Sequence, residues 1–105
     1  MKPADCRSMA EVRHGIDRLD EQIVALLAER FRYMEAAARI KQDRSAVRDE
    51  RRKAEVIANV RRGAAEESIA VEAIQEIYER LVESSIRYEF EKFDAIRGPF
   101  DATRL

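Results

Sequence analysis

The sequence predicts an all-α fold of three helices, long, short and long, on three observations. Apolar residues recur at alternating steps of three and four, as on one face of a helix. Only three Gly and two Pro interrupt 105 residues, of which 39% are charged, so little turn-forming material divides the chain. No segment alternates with a period of two, which a half-buried strand would require.

The first helix is the clearest. Met9, Val12, Ile16, Leu19, Ile23 and Leu26 form a seam like that of a coiled coil. Ser8 precedes it as an N-cap, with Glu11 completing a capping box. No Gly or Pro follows Gly15 before about residue 43, which gives a rod of about 35 residues and ~50 Å. Such a rod exceeds the diameter of any globule this chain forms alone, so it is expected to pair with another chain. The polar stretch Gln42 to Val47 reads as a loop. Asp49 then caps a second helix through Ala54, Ile57 and Val60 to about Arg62, where Gly63 is expected to stop it. The third helix is expected from about Glu66 to Ile96, with Ile74, Ile77, Tyr78, Leu81, Val82, Tyr88 and Phe93 on its apolar face. Gly98 and Pro99 end it. The whole is read as a single domain, 1–105, with an ordered core at about 8–97 and a loose tail at 98–105.

Charge and cysteine content narrow the function classes. Twenty Lys and Arg against twenty-one Asp and Glu leave a net charge of −1, so no global field draws the protein to nucleic acid or an anionic membrane. Cys6 is the lone cysteine and has no intrachain disulfide partner. No run approaches the ~20 apolar residues of a membrane span, and the opening residues lack the apolar stretch of a secretory signal. A cytoplasmic location is expected. His14 and Cys6 have no companions at catalytic or metal-ligand spacing, so no metal site is expected.

The informative residues are those that break the apolar stripes. Continuing the first seam past Leu26 reaches Arg30, then Tyr33, Ala37 and Ile40. A guanidinium on an apolar stripe needs an acidic partner or an anionic ligand, and the residue types leave both readings open. Lys41, eleven residues later, projects from nearly the same face ~16 Å along the axis, so the two cations bracket space for a small anion. Arg13 lies seventeen residues before Arg30, ~25 Å away on one rod, and cannot reach the same ligand within one chain. Two such helices packed antiparallel about a two-fold axis would bring Arg13 of one chain to Arg30 and Lys41 of the other. On the third helix the stripe continues to Ser85 and Glu89, adjacent on one face. Ser85 reads first as a small residue that lets helices approach. The run Arg48, Arg51, Arg52 and Lys53 is interleaved with Asp49, Glu50 and Glu55 and reads as solvated surface.

These residues together resemble the AroQ-type chorismate mutase family over about Asp5 to Phe93. The stretches that carry the likeness are Val-Arg-x-x-Ile-Asp-x-Leu-Asp at Val12 to Asp20, Leu-Leu-Ala-Glu-Arg at Leu26 to Arg30, Lys41, and Val-Arg-Asp-x-x-Arg at Val47 to Arg52. The resemblance implies an intertwined homodimer of three-helix chains that rearranges chorismate to prephenate. It implies that Arg13 of the partner chain and Arg30 clamp the substrate carboxylates, with support from Arg52. Lys41 would donate to the ether oxygen, Asp49 would bind near the ring hydroxyl, and Ser85 would line the pocket. A pericyclic shift of this kind needs no cofactor. It needs a small dicarboxylate held compactly, with donors aimed at an oxygen that gains negative charge.

Three features differ from the usual mutase pattern. Glu89 stands where many members have Gln; an ionised carboxylate cannot donate, so a role for the protonated form implies activity that declines as pH rises. Lys53 stands where Glu is usual. The loop is one residue shorter, and with the opening Pro-Ala-Asp-Cys it is similar to isochorismate-pyruvate lyases, relatives of the same fold. Lyase activity is therefore the alternative expectation. A non-catalytic helical dimerisation module, with Arg30 satisfied by a glutamate, is the third.

Overall fold

The structure, a computed structural model, describes residues 1–98; of the tail expected at 98–105, all but Gly98 lies outside the described residues. Helices α1 (Met9–Ile40), α2 (Glu50–Glu66) and α3 (Val71–Arg97) account for the long-short-long pattern, and no strand occurs among the described residues. No helix among those residues is long and apolar enough to cross a membrane. The chain forms two compact units that meet within α1, Met1–Tyr33 and Met34–Leu105.

In the first unit a short 3-10 turn, Pro3–Asp5, precedes α1. The Ser8 cap forms as expected: its Oγ accepts from Glu11 N–H at 3.2 Å, while Glu11 Oε1 accepts from the backbone N–H of Arg7 at 3.1 Å and from Ser8 Oγ at 3.1 Å. The Glu11 amide, an orphan of the first turn, is thereby satisfied, while the Glu11 carboxylate bonds one residue ahead of the cap rather than to the Ser8 N–H. The seam itself is uncovered in the single chain. Met9, Ile16, Leu19, Ile23 and Leu26 are each at least 50% exposed.

In the second unit the core is Ala38 from α1, Val47 from the loop, and Val82, Ile86 and Phe93 from α3, with Val56 of α2 and Phe90 packed against it. The α3 stripe expected to face inward holds, except that Ile77 is 58% exposed. On α2 it is Val56 that reaches the core, while Ala54 is exposed. Helix α1 ends at Ile40, somewhat earlier than expected, and the following loop contains a 3-10 turn at Arg44–Ala46 that seats Val47 in the core.

The boundary between α2 and α3 differs most from expectation. Gly63 does not stop α2, which continues to Glu66, because a glycine weakens a helix interior by only about 1 kcal/mol. The stop is Ser68, with φ of 56° in the left-handed region. Its N–H donates to Ala65 O at 3.1 Å and the Ile69 N–H donates to Ala64 O at 3.0 Å, the two bonds of a Schellman closure. Residues Glu67–Ala70 are used in this turn, so α3 begins at Val71 rather than near Glu66.

Candidate functional site

The polar residues that interrupt the α3 stripe are buried. Val82, Ser85, Ile86, Glu89 and Phe93 form its inward face, and Ser85 and Glu89 are only 3% and 4% exposed. Ser85 Oγ donates to Leu81 O at 2.7 Å, one turn back, a bond that lets a hydroxyl sit in an apolar setting. Glu89 has a stronger partner. Lys41 Nζ donates to Glu89 Oε2 at 2.7 Å, with 29% of the lysine side chain exposed and 5% of the glutamate. Lys41 sits just beyond the last residue of α1, its N–H still closing on Ala37 O at 2.9 Å, so helix geometry aims it across at α3. An ammonium has three donors, so the bond to Glu89 orients the group and leaves two N–H for other acceptors. The arrangement is a fixed cation beside a buried carboxylate, suited to stabilising negative charge on a bound molecule.

The remaining expected site residues have varied surroundings. Asp49 caps α2, its Oδ1 accepting from Arg52 N–H at 3.0 Å. Arg52 pairs with Glu55 at 3.3 Å, one turn on and largely in solvent. Arg13 is exposed and Arg30 half-buried, both within the first unit. That unit also holds an apolar groove of about 740 Å³ between the 3-10 turn and the start of α1, lined by Pro3, Cys6, Ala10, Ile16 and Leu19 among others. Among the described residues, no group of three or more His, Cys, Asp or Glu side chains could hold a metal ion.

Within the basic run that reads as solvated surface, Arg51 and Arg52 are exposed, while Arg48, just ahead of α2, and Lys53 of α2 reach across to α3. Arg48 donates to Glu83 at 2.9 Å and 3.2 Å and to Glu50 at 2.9 Å. Hydrogen bonding to Glu83 first, and then to Glu50, raises the Arg48 pKa. Lys53 bridges Glu79 at 3.2 Å and Glu83 at 3.4 Å, and the bond to Glu79 foremost raises its pKa. The Arg48 hydrogen bond holds the Glu83 carboxyl below its ordinary value. Lys53, unusual by the mutase pattern, thus serves the packing of two helices.

Several contacts around the pair were not expected from the sequence, which marked Tyr88 only as part of the α3 apolar face. Tyr88, next to Glu89, donates to Glu35 of α1, and Lys92 lies over the Tyr88 ring at 5.3 Å. Arg44 pairs with Asp94 through bonds of 2.9 Å and 3.2 Å and stacks on Phe90. Arg97 donates to carbonyls at the end of α1. The cue available for Arg97 was its place in the last turn of a helix, where a cation is favoured.

Comparison with known proteins gives these features a common setting. The family model for chorismate mutase type II matches residues 12–90. An isochorismate pyruvate lyase from Pseudomonas aeruginosa is 28% identical over 96 residues, which cover 91% of this chain and 95% of the relative. The match spans α2, most of α1 and α3 as far as Phe90, and includes both Lys41 and Glu89: the chain belongs to the chorismate mutase type II family of enzymes, whose substrates are small chorismate-like molecules.

Proposed function

We propose that this protein rearranges chorismate to prephenate. The observation that carries the reading is the Lys41–Glu89 pair, a preorganised cation whose partner carboxylate is buried on α3. Breaking the ether bond of chorismate moves negative charge onto its oxygen, and a donor already aimed at that place needs no reorganisation during the reaction. Lys41 is that donor, and Glu89 accepts one of its N–H bonds and aims it. Arg30 and a partner chain's Arg13 clamp the two carboxylates, supported by Arg52. Asp49 lies toward the ring hydroxyl and Ser85 lines the pocket. Holding the flexible dianion in a compact conformation supplies much of the acceleration.

A homodimer is part of this reading. The uncovered seam of Met9, Ile16, Leu19, Ile23 and Leu26 needs a cover, and a second copy supplies one together with Arg13. The balanced charge and single cysteine fit a cytoplasmic enzyme of small molecules, with no part for nucleic acid or membrane.

A second reading is elimination of pyruvate from isochorismate to leave salicylate. The relative of similar length named as an isochorismate pyruvate lyase favours it, as do the short loop and the Pro-Ala-Asp-Cys opening. Supplying each substrate separately to the purified protein and identifying prephenate, or pyruvate plus salicylate, tests both. Turnover of neither would favour a non-catalytic dimerisation module.

A further inference from the structure

Beyond the Lys41 N–H bond to Ala37 O, carbonyls at the end of helix α1 are met by a side chain from another helix. The last carbonyls of a helix lack intrahelical donors, and the stretch after Ile40 offers no glycine to turn the chain back. A distant residue supplies the donors. Arg97 Nη1 donates to Ala38 O at 3.0 Å and to Phe93 O at 3.3 Å, and its Nη2 donates to Lys41 O. The same guanidinium lies over the Phe93 ring, with Cζ 3.5 Å from the centroid. Ala38 is fully buried and Phe93 5% exposed, so the group rests on the core of this unit. One planar, five-donor cation therefore fastens the end of α1 to the end of α3, eight residues beyond Glu89.

We propose that Arg97 is a positioning residue for Lys41. It holds the lysine's own carbonyl and that of Ala38 three residues earlier, and so sets the backbone from which the Lys41 side chain reaches Glu89. This rests on the reading of Lys41 as donor to the ether oxygen. A guanidinium suits the task because two separate carbonyls and an aromatic face are engaged at once. An ammonium, a point charge on a flexible stem, meets only part of that demand.

The test compares Arg97→Met and Arg97→Lys with Arg44→Met. Arg44 likewise lies over an α3 ring, that of Phe90, but pairs with Asp94 rather than with the end of α1. The expected result for Arg97→Met is a kcat lower by about fivefold to tenfold with KM little changed, since the carboxylate clamps are untouched. Arg97→Lys should recover part of the loss, and Arg44→Met should keep kcat. In isotope-labelled lysine NMR spectra, the Lys41 side-chain resonance, identified by its loss in Lys41→Met, should move in Arg97→Met and stay in Arg44→Met. A kcat that stays at the wild-type level in both Arg97 variants overturns the proposal, as does an equal fall in Arg44→Met. If Arg97→Met fails to fold, Arg97→Lys is read by the same criteria. Should the wild type turn over neither chorismate nor isochorismate, the functional reading fails by itself. The Lys41 resonance then decides, and one unmoved by loss of Arg97 overturns the positioning role.

Discussion

Lys41 Nζ and Glu89 Oε2 lie 2.7 Å apart although 48 positions separate the two residues in the chain. The glutamate is buried and the lysine only partly so. A carboxylate in that position is tolerable because a cation faces it, and the pair is therefore vulnerable to loss of either member.

Replacing Lys41 with Met should leave Glu89 as an uncompensated buried acid. The expected cost is about 1–3 kcal/mol, below the usual figure for a fully buried pair because water reaches the lysine. The double variant Lys41→Met/Glu89→Leu should be more stable than the sum of the single losses implies. Urea titration of all four proteins measures this coupling, and strict additivity would show that the contact contributes nothing.

Substitutions at Glu89 should test its part in holding Lys41. In Glu89→Gln the amide oxygen still accepts from Lys41 and the amide N–H can donate to the ether oxygen, so turnover should largely persist, whereas Glu89→Ala, which does neither, should lose most of it. Equal losses in the two variants would end this account of Glu89.

Acid should weaken the ties between elements. The Arg48 hydrogen bond lowers the Glu83 pKa from 4.5 and the Arg44 hydrogen bond lowers that of Asp94 from 3.8. A folded-state value below the unfolded one stabilises the fold above the unfolded value, and this contribution is lost as pH falls through the folded value. Thermal melts between neutral and strongly acidic pH should show Tm falling in that range, and less steeply in Arg44→Met/Arg48→Met. Both acids are solvent-facing, so the effect should be small and shrink with added salt.

Two backbone positions offer gains in stability. Ser68 holds a left-handed conformation that glycine adopts freely, so Ser68→Gly should add about 0.5–1 kcal/mol. Gly63 lies inside α2 with nothing within 4 Å of an added Cβ, so Gly63→Ala should add a similar amount. A fall in Tm on Gly63→Ala would mean that the site is covered by something beyond the single chain.

Complementation tests the shared site. Arg13→Ala and Arg30→Ala should each abolish most turnover, and mixing the two after joint refolding should restore activity through roughly one intact site per heterodimer. Absence of rescue, with mixed dimers verified by mass spectrometry, would count against a site shared between chains.

The sequence by itself determined the helical class, the Ser8 and Asp49 caps and the polar interruptions at Ser85 and Glu89. Those signals are local: periodicity and capping depend on residues a turn or two apart. It also marked Arg13, Arg30 and Lys41 as a set, through spacing on one long rod. It misjudged the end of α2, because a left-handed serine leaves no compositional trace, whereas a glycine within a helix looks like a stop. Only tertiary structure joined Lys41 to Glu89, turned Arg48 and Lys53 into ties to α3, and carried Arg97 to the end of α1. Those contacts bridge 26 to 59 positions, and a side chain's partner at such range is set by how helices pack, which no local pattern records.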